Sequence, residues 1–403
     1  MGKFFRRHRI KLLILVLLPL LLLAVAAFYL DLHLYLLPIP DDLDAAIRQQ
    51  MAVAKLPGLA IVGLRGERIV FAEGYGDANQ EEGREVTPDT LFQIASVSKL
   101  ATATALMRLY EQGQFALDDD INLYLPFEVR NPRFPDTPIT FRMLLAHVSS
   151  IQDGPSYDTT YTLGSGEEDS PLPLGDYLQG YLVPGGKYYD AEKNYTEQQP
   201  GTTYEYSNVG FGLVGYLVEQ ISGLPFDQYC QQELFEPLGM ATTRWLYRDV
   251  DKTKMAMPYR YALDSRRFTP LGYYSFTTYP DGALKTSANE FARFVSLFLN
   301  EGKTLDGQQF LRPETVEEML TLQYPESGGG ACLAWHVDTE DGFYQHSGGD
   351  PGVSTMVVIS PDKDLGLILF ANSGGIESPL SLVGFQVIAD RLLPRLADYI
   401  MTQ

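Results

Sequence analysis

The 403-residue sequence is poor in cysteine: it has two, Cys230 and Cys332, far apart and in no C-x-x-C pair. They could bridge in an oxidising compartment or remain two buried thiols, and they cannot supply a disulfide framework. Histidine is nearly as scarce. The five, at positions 8, 33, 147, 336 and 346, form no H-E-x-x-H, and no Cys/His cluster has zinc spacing. No metal site and no cofactor is therefore expected. No Gly-x-Ser-x-Gly occurs, which removes the nucleophile elbow of a conventional lipase. Positive charge is short over most of the chain. Lys3, Arg6, Arg7, Arg9 and Lys11 open it, and the remainder sets 26 basic residues against 51 acidic ones, a net −25 within an overall −20. A body so acidic repels phosphate backbones, so nucleic acid is excluded as a partner.

One long hydrophobic run is present, and only one. Residues 12–30, "LLILVLLPLLLLAVAAFYL", carry no charge. As a helix they would span about 28 Å, close to the hydrocarbon thickness of a bilayer. The basic cluster at 1–11 precedes them, so the positive-inside rule keeps the N-terminus in the cytoplasm and sends the body outside. Ala24-Val25-Ala26 also reads as a signal-peptidase site, which would give a secreted product. The anchor is the reading adopted, because apolar residues continue through Phe28-Tyr29-Leu30. A linker at 31–41 then leads to one continuous globular unit, 42–403.

Within that unit, 43–54 has helical spacing, and 58–76 reads as two strands about the turn Arg65-Gly66-Glu67. Helical character returns at 138–150, 209–221, 224–236, 288–301, 313–322 and 380–400, and 353–373 has a hairpin pattern. Residues 151–203 are rich in Gly, Pro and Ser, with tyrosines at 157, 161, 177, 181, 188, 189 and 195 and another at 204. They suggest an ordered excursion that walls a cleft. Strands at both ends with helices between predict an α/β (α+β) body: a mixed, mainly antiparallel sheet flanked by helices, with an inserted helical lobe.

The chemistry starts at "FQIASVSKLATATALMRLY", residues 92–110. Ser96 and Lys99 stand three apart where a helix begins, so the amine can reach the hydroxyl, and the helix terminus favours a developing alkoxide. The same spacing occurs in Ser360-Pro361-Asp362-Lys363, but there it falls in the hairpin turn, and the two side chains share no helix face. A lysine at its ordinary pKa is mostly protonated and needs a partner to act as a base. Tyr206-Ser207-Asn208, the only Tyr-x-Asn present, offers a phenol to share the proton and an amide to hold lysine and substrate. His346-Ser347-Gly348-Gly349 adds glycines that let a backbone approach a substrate closely.

Ser-x-x-Lys, Tyr-x-Asn and a His/Lys-x-Gly strand, in that order, resemble the serine β-lactamase/penicillin-binding superfamily, in its class C β-lactamase-like branch of esterases and D-alanyl peptidases. The resemblance runs from about residue 43 to 395 and includes "ITFRMLLAHVSS", "PGTTYEYSN", "EPLGM" and "HSGGDPGVST". It implies a β-lactamase/transpeptidase-like fold with a cleft between sheet and helical lobe. It implies Ser96 as the acylated nucleophile and Lys99 with Tyr206 as the shared base and acid. Asn208 would orient substrate, the backbone N–H groups of Ser96 and Gly349 would form the oxyanion hole beside Gly348, and His346 would face substrate. Two departures stand out. His346 occupies a position where many members have lysine, and Val148-Ser149-Ser150 replaces the usual Thr-Ser-Gly. A neutral imidazole in place of a permanent cation weakens recognition of a carboxylate. The expectation is thus a membrane-anchored, extracytoplasmic serine hydrolase acting on small esters. A D-alanyl peptidase, a weak β-lactamase and a non-catalytic cell-wall peptide-binding protein are the alternatives. The oligomeric state is not legible.

Overall fold

The computed structural model describes residues 35–165, 168–262, 265–374 and 379–403. The basic N-terminus and the expected anchor at 12–30 lie outside the described residues. Among those described, no single helix is long and apolar enough to cross a membrane.

Helix α1 (Leu43–Ala54) starts at Asp42, whose carboxylate accepts the Ala45 amide at 2.9 Å, as a helix N-terminus prefers. Strands β1 (Gly58–Arg65) and β2 (Arg68–Asn79) form the expected hairpin, and the short β3 (Arg84–Glu85) adds to its edge. The C-terminal half supplies β8 (His336–Val337), β9 (Tyr344–Asp350), β10 (Val353–Ile359) and β11 (Leu365–Ala371). The seven strands lie in the order β3-β2-β1-β11-β10-β9-β8, every neighbouring pair antiparallel. The sheet is built from both ends of the chain, as the strand pattern predicts.

Side chains alternate across this sheet. Leu59, Ile61, Met356, Val358, Leu367 and Leu369 pack with α1 and the C-terminal helix Pro379–Met401. Ala60, Val62, Leu64, Val357, Ile359, Ile368 and Phe370 face the other way and join the core of the helical lobe. Every residue of β10 and β11 is buried, which explains why they read as continuous apolar runs rather than alternating ones.

The lobe runs between the two halves of the sheet. After β4 (Leu91–Gln93) come α2 (Ser98–Glu111), α3 (Phe141–Leu145), α4 (Leu174–Leu182), α5 (Asn208–Ser222) and α6 (Phe226–Cys230). Strands β5 (Tyr259–Ala262) and β6 (Arg267–Pro270) pair with each other, and β7 (Lys285–Ser287) pairs with β4. Helices α7 (Ala288–Leu299) and α8 (Pro313–Leu320) precede β8, and the C-terminal helix is α9.

Three segments depart from the pattern expected. The helix predicted over 138–150 is only α3, because His147 and Ser150 adopt positive φ (57° and 65°) and turn the chain. The helix predicted over 224–236 is α6 followed by a π-helical turn, Gln231–Phe235. Inside the tyrosine-rich excursion sits α4, which its glycines conceal. A Cβ on Gly175 would come within 2.7 Å of the Tyr216 ring, and one on Gly180 within 3.2 Å of Tyr188. Packing chose glycine there, at the expense of helix propensity. Cys230 and Cys332 are buried free thiols.

Candidate active site

Ser96 lies on a 3₁₀ turn, Ala95–Val97, that runs straight into α2. The preceding Ala95 has φ 47°, an unfavourable conformation for a residue with a side chain and one that concentrates at functional sites. Several bonds hold this corner. Ile94 N–H donates to Leu284 O at 2.9 Å, Leu284 N–H to Ser98 Oγ at 3.1 Å, and Thr102 Oγ1 to Pro280 O at 2.6 Å. They clamp the 3₁₀ turn Tyr279–Asp281 against α2 and bring the Asp281 carbonyl to Lys99.

Lys99 is fully buried. Its Nζ donates to Ser96 Oγ at 3.2 Å, to Asn208 Oδ1 at 2.7 Å and to Asp281 O at 2.7 Å. It also lies 4.9 Å from the Tyr206 ring centroid, and both Lys99 and Ser96 act on the Tyr206 phenol in the direction that favours its ionised form. The structure thus brings Ser96, Lys99, Tyr206 and Asn208 together, although α2 and α5 are about a hundred residues apart.

Four further groups, outside the Ser-x-x-Lys, Tyr-x-Asn and His-x-Gly triplets, complete the arrangement. Asp153 accepts from the backbone N–H of Asn208 and of Val209, both at 3.0 Å, and from Asn208 Nδ2 at 2.9 Å. It is an anion on the N-terminus of α5, and it fixes the Asn208 amide so that Oδ1 turns to Lys99. His147 accepts the Ser207 N–H at Nδ1, 3.1 Å, and stacks on the Tyr206 ring at 4.4 Å. It supports the Tyr206 segment rather than packing its own helix. Asp281, 1% exposed, receives the Tyr157 hydroxyl at 3.2 Å. Its neighbour Asp350 receives Tyr161 at 2.8 Å. Asp153 and Asp281 are lone aspartates outside the quoted motifs and had no sequence signal, whereas His147 and Asp350 lie within "ITFRMLLAHVSS" and "HSGGDPGVST" with no role legible there.

Burial pulls the Lys99 ammonium down, but the surrounding Tyr206, Asp281 and Asp153 more than offset this and leave its pKa raised. Burial raises the Tyr206 phenol, and Lys99 opposes that only in part. The pair therefore rests as ammonium and phenol, with its protons poised around the serine hydroxyl. Burial pushes Asp281 up to about 8 and Asp350 up to about 6. His147, His336 and His346 are held neutral, each chiefly by burial.

The third motif occupies β9. A Cβ on Gly348 would meet Thr355 Oγ1 at 2.4 Å, Ile94 O at 2.8 Å and Ser96 N at 2.9 Å. Only glycine lets this strand approach the backbone of the nucleophile. A Cβ on Gly349 would meet nothing within 4 Å, so open space lies beside it. His346 does not occupy the open side where substrate was expected to meet it. It is 2% exposed, its Nδ1 donates to Ser347 O at 2.8 Å, and its ring packs 5.5 Å from His336 and 6.5 Å from Tyr206. Strand alternation exposes Ser347 and Gly349 instead and sets His346 behind Tyr206. Of the tyrosines in the excursion, 157, 177, 181 and 195 are core residues.

This geometry has relatives. The Beta-lactamase family model matches residues 43–381. The chain belongs to the Beta-lactamase family. Protein flp of Staphylococcus aureus (strain MRSA252) is 21% identical over 332 residues, which cover 82% of this chain and 62% of that protein; the chain thus spans about six-tenths of this relative's length. The structure of the octameric penicillin-binding protein homologue from Pyrococcus abyssi is 26% identical. It has a TM-score of 0.66 and covers 87% of this chain and 76% of its own. D-amino acid amidase from Ochrobactrum anthropi shares the fold, with 22% identity, a TM-score of 0.67 and coverage of 89% and 99%.

Proposed function

We propose that this member of the family is a membrane-anchored, extracytoplasmic hydrolase that acylates Ser96 and passes the acyl group to water, with carboxylic esters as substrates. The observation that carries the proposal is the Lys99 ammonium 3.2 Å from Ser96 Oγ, 2.7 Å from Asn208 Oδ1 and 4.9 Å from the Tyr206 ring centroid. Serine is a weak nucleophile until a neighbour takes its proton. Here the Lys99–Tyr206 pair, once it has lost one proton, accepts that of Ser96 as Oγ attacks the carbonyl carbon. The oxyanion is met by the N–H groups of Ser96 and Gly349, where one such donor is worth about 2.7–4 kcal/mol. The pair returns the proton to the departing alkoxide, and water then repeats the sequence on the acyl-enzyme.

The neutral, buried His346 supports esters over substrates that carry a free carboxylate, because no fixed cation takes the place of the family's third-motif lysine. A second reading, hydrolysis of D-amino-acid amides or peptides, draws support from the protonated resting pair, since an amine leaving group needs a proton donor. The fold shared with D-amino acid amidase is consistent with it. The test is a fluorophosphonate probe on the full chain, followed by assays with short- and long-chain acyl esters, a chromogenic cephalosporin and a D-Ala-D-Ala peptide. Labelling is expected on Ser96, with esters turned over fastest. Equal labelling of Ser96→Ala would end the proposal, and preference for the peptide would select the second reading.

A further inference from the structure

The large apolar side chains left exposed are not spread over the surface. Among the described residues there are seven: Tyr35, Leu36, Leu37, Ile69, Leu123, Tyr399 and Met401. Five of them belong to two segments that touch each other. Tyr35, Leu36 and Leu37 precede α1, and Tyr399 and Met401 close α9. The contact between the segments is specific. The Arg391 guanidinium lies 3.9 Å from the Tyr35 ring centroid and donates to Tyr35 O at 2.7 Å, and Arg395 donates to Pro40 O at 2.5 Å. Arg391, Arg395 and Tyr399 stand at successive i+4 positions and so share one stripe of the helix. Residues 35–40 are laid along that stripe, with Leu36 still 65% exposed.

We infer that this face, residues 35–37 with the last turns of α9, rests on the lipid surface and fixes how the catalytic body stands on the membrane. The inference rests on the reading of 12–30 as an anchor and goes beyond it by assigning a surface and an orientation. The chain itself limits the alternatives. The apolar run ends at Leu30, and Tyr35 follows five residues later, a reach of at most about 17 Å. Tyr35–Leu37 therefore cannot stand far from the headgroups. The composition fits that place: tyrosines are enriched at membrane interfaces, and arginine can bury its stem beneath a wet head. Arg391 and Arg395 are accompanied by the exposed Asp41, Asp42 and Asp398. The face is thus not a basic patch, and its attachment is expected not to require anionic lipid.

The orientation bears on substrate. Tyr399 and Arg391 lie on the helix that covers one side of the sheet, whereas Ser96 is on the lobe that covers the other. With α9 against the bilayer, the sheet stands between lipid and nucleophile. The cleft is presented to water and to polymers outside the membrane, not to esters embedded in it.

Single cysteines at Leu36 and Tyr399, with one at Leu123 in the lobe as control, would each carry a fluorophore on the full chain in phosphatidylcholine vesicles containing headgroup nitroxide lipid. The native thiols are buried and do not compete. Quenching at 36 and 399 is expected to exceed that at 123 several-fold and to be unchanged when anionic lipid is added. If the chain stays with the aqueous phase, the anchor reading and this inference fall together. If it joins the vesicles but all three positions are quenched alike, only the orientation falls. Disulfide cross-linking of 36 to 36 or 399 to 399 without quenching would give the face to a second copy and overturn the lipid assignment.

Discussion

Ser96-Val97-Ser98-Lys99 and Ser360-Pro361-Asp362-Lys363 have the same spacing and opposite fates. In the first, a 3₁₀ turn enters a helix, the lysine is fully buried, and its three hydrogen bonds converge on the serine, Asn208 and the Asp281 carbonyl. In the second, the chain turns between β10 and β11. Ser360 Oγ bonds to Asp362 and accepts the Leu365 N–H at 3.0 Å, and Lys363 has φ 59° and is half-exposed. The Ser360 hydroxyl is consumed by the turn, and its lysine stays in water. A serine three residues before a lysine becomes a reactive pair only where the fold buries the lysine and supplies a second proton-sharing group.

That contrast can be broken most forcefully at the lysines. Lys99→Met should lower turnover by three or more orders of magnitude, with the loss in kcat, because a proton acceptor and the hold on Asn208 vanish together. Lys363→Met should leave steady-state kinetics unchanged. Equal effects would mean that spacing alone matters.

Next in size is Tyr206→Phe, expected to cost roughly 10²–10⁴-fold in turnover. Both members of the Lys99–Tyr206 pair have raised pKa values, so the active base is the minor form at neutral pH. In wild type, kcat/KM should rise with pH through neutrality into the alkaline range. A flat profile there would show that the pair is not the titrating base.

Asp153→Ala tests whether the Asn208 amide must be held. Turnover should drop roughly tenfold, about 1.4 kcal/mol, with melting lowered by loss of the α5 N-terminal anion. Ser222→Ala, at the far end of the same helix, should leave turnover alone. A variant that melts lower but keeps full kcat would make Asp153 merely structural.

The last effect is read in stability rather than turnover. Burial raises the Asp281 carboxyl from its ordinary value to about 8, so the folded state holds a proton that the unfolded state releases. Folding stability is therefore fully present at acid pH and is lost as pH rises toward about 8, by at most about 1.4 kcal/mol per unit. Asp281→Asn should flatten the Tm profile across that interval. An unchanged slope would place the linkage on other groups.

Legibility followed locality. The span of α1, the β1–β2 and β10–β11 hairpins and the Ser96–Lys99 pair depend on neighbours within a few residues, and each could be read directly. The three motifs could be placed in one cleft only through their order and their resemblance to a family. What stayed hidden was set by distant partners. Gly175 masks α4 because Tyr216, on α5, presses on it. Asp153 has meaning only once α5 is set down in front of it. His346 could be assigned to a strand, but which side of that strand is covered depends on His336 and Tyr206.

The order of the sheet has a consequence for timing. Its central pairing joins Leu59 to Ala371, and the strand that touches the Ser96 backbone is β9. Pairings between such distant residues form slowly. While the chain is being synthesised from its N-terminal end, α2 and Ser96 emerge long before the strand that completes their pocket. A ribosome still holding the last sixty residues therefore holds a chain whose pocket is incomplete. The pocket around Ser96 is completed in one late event.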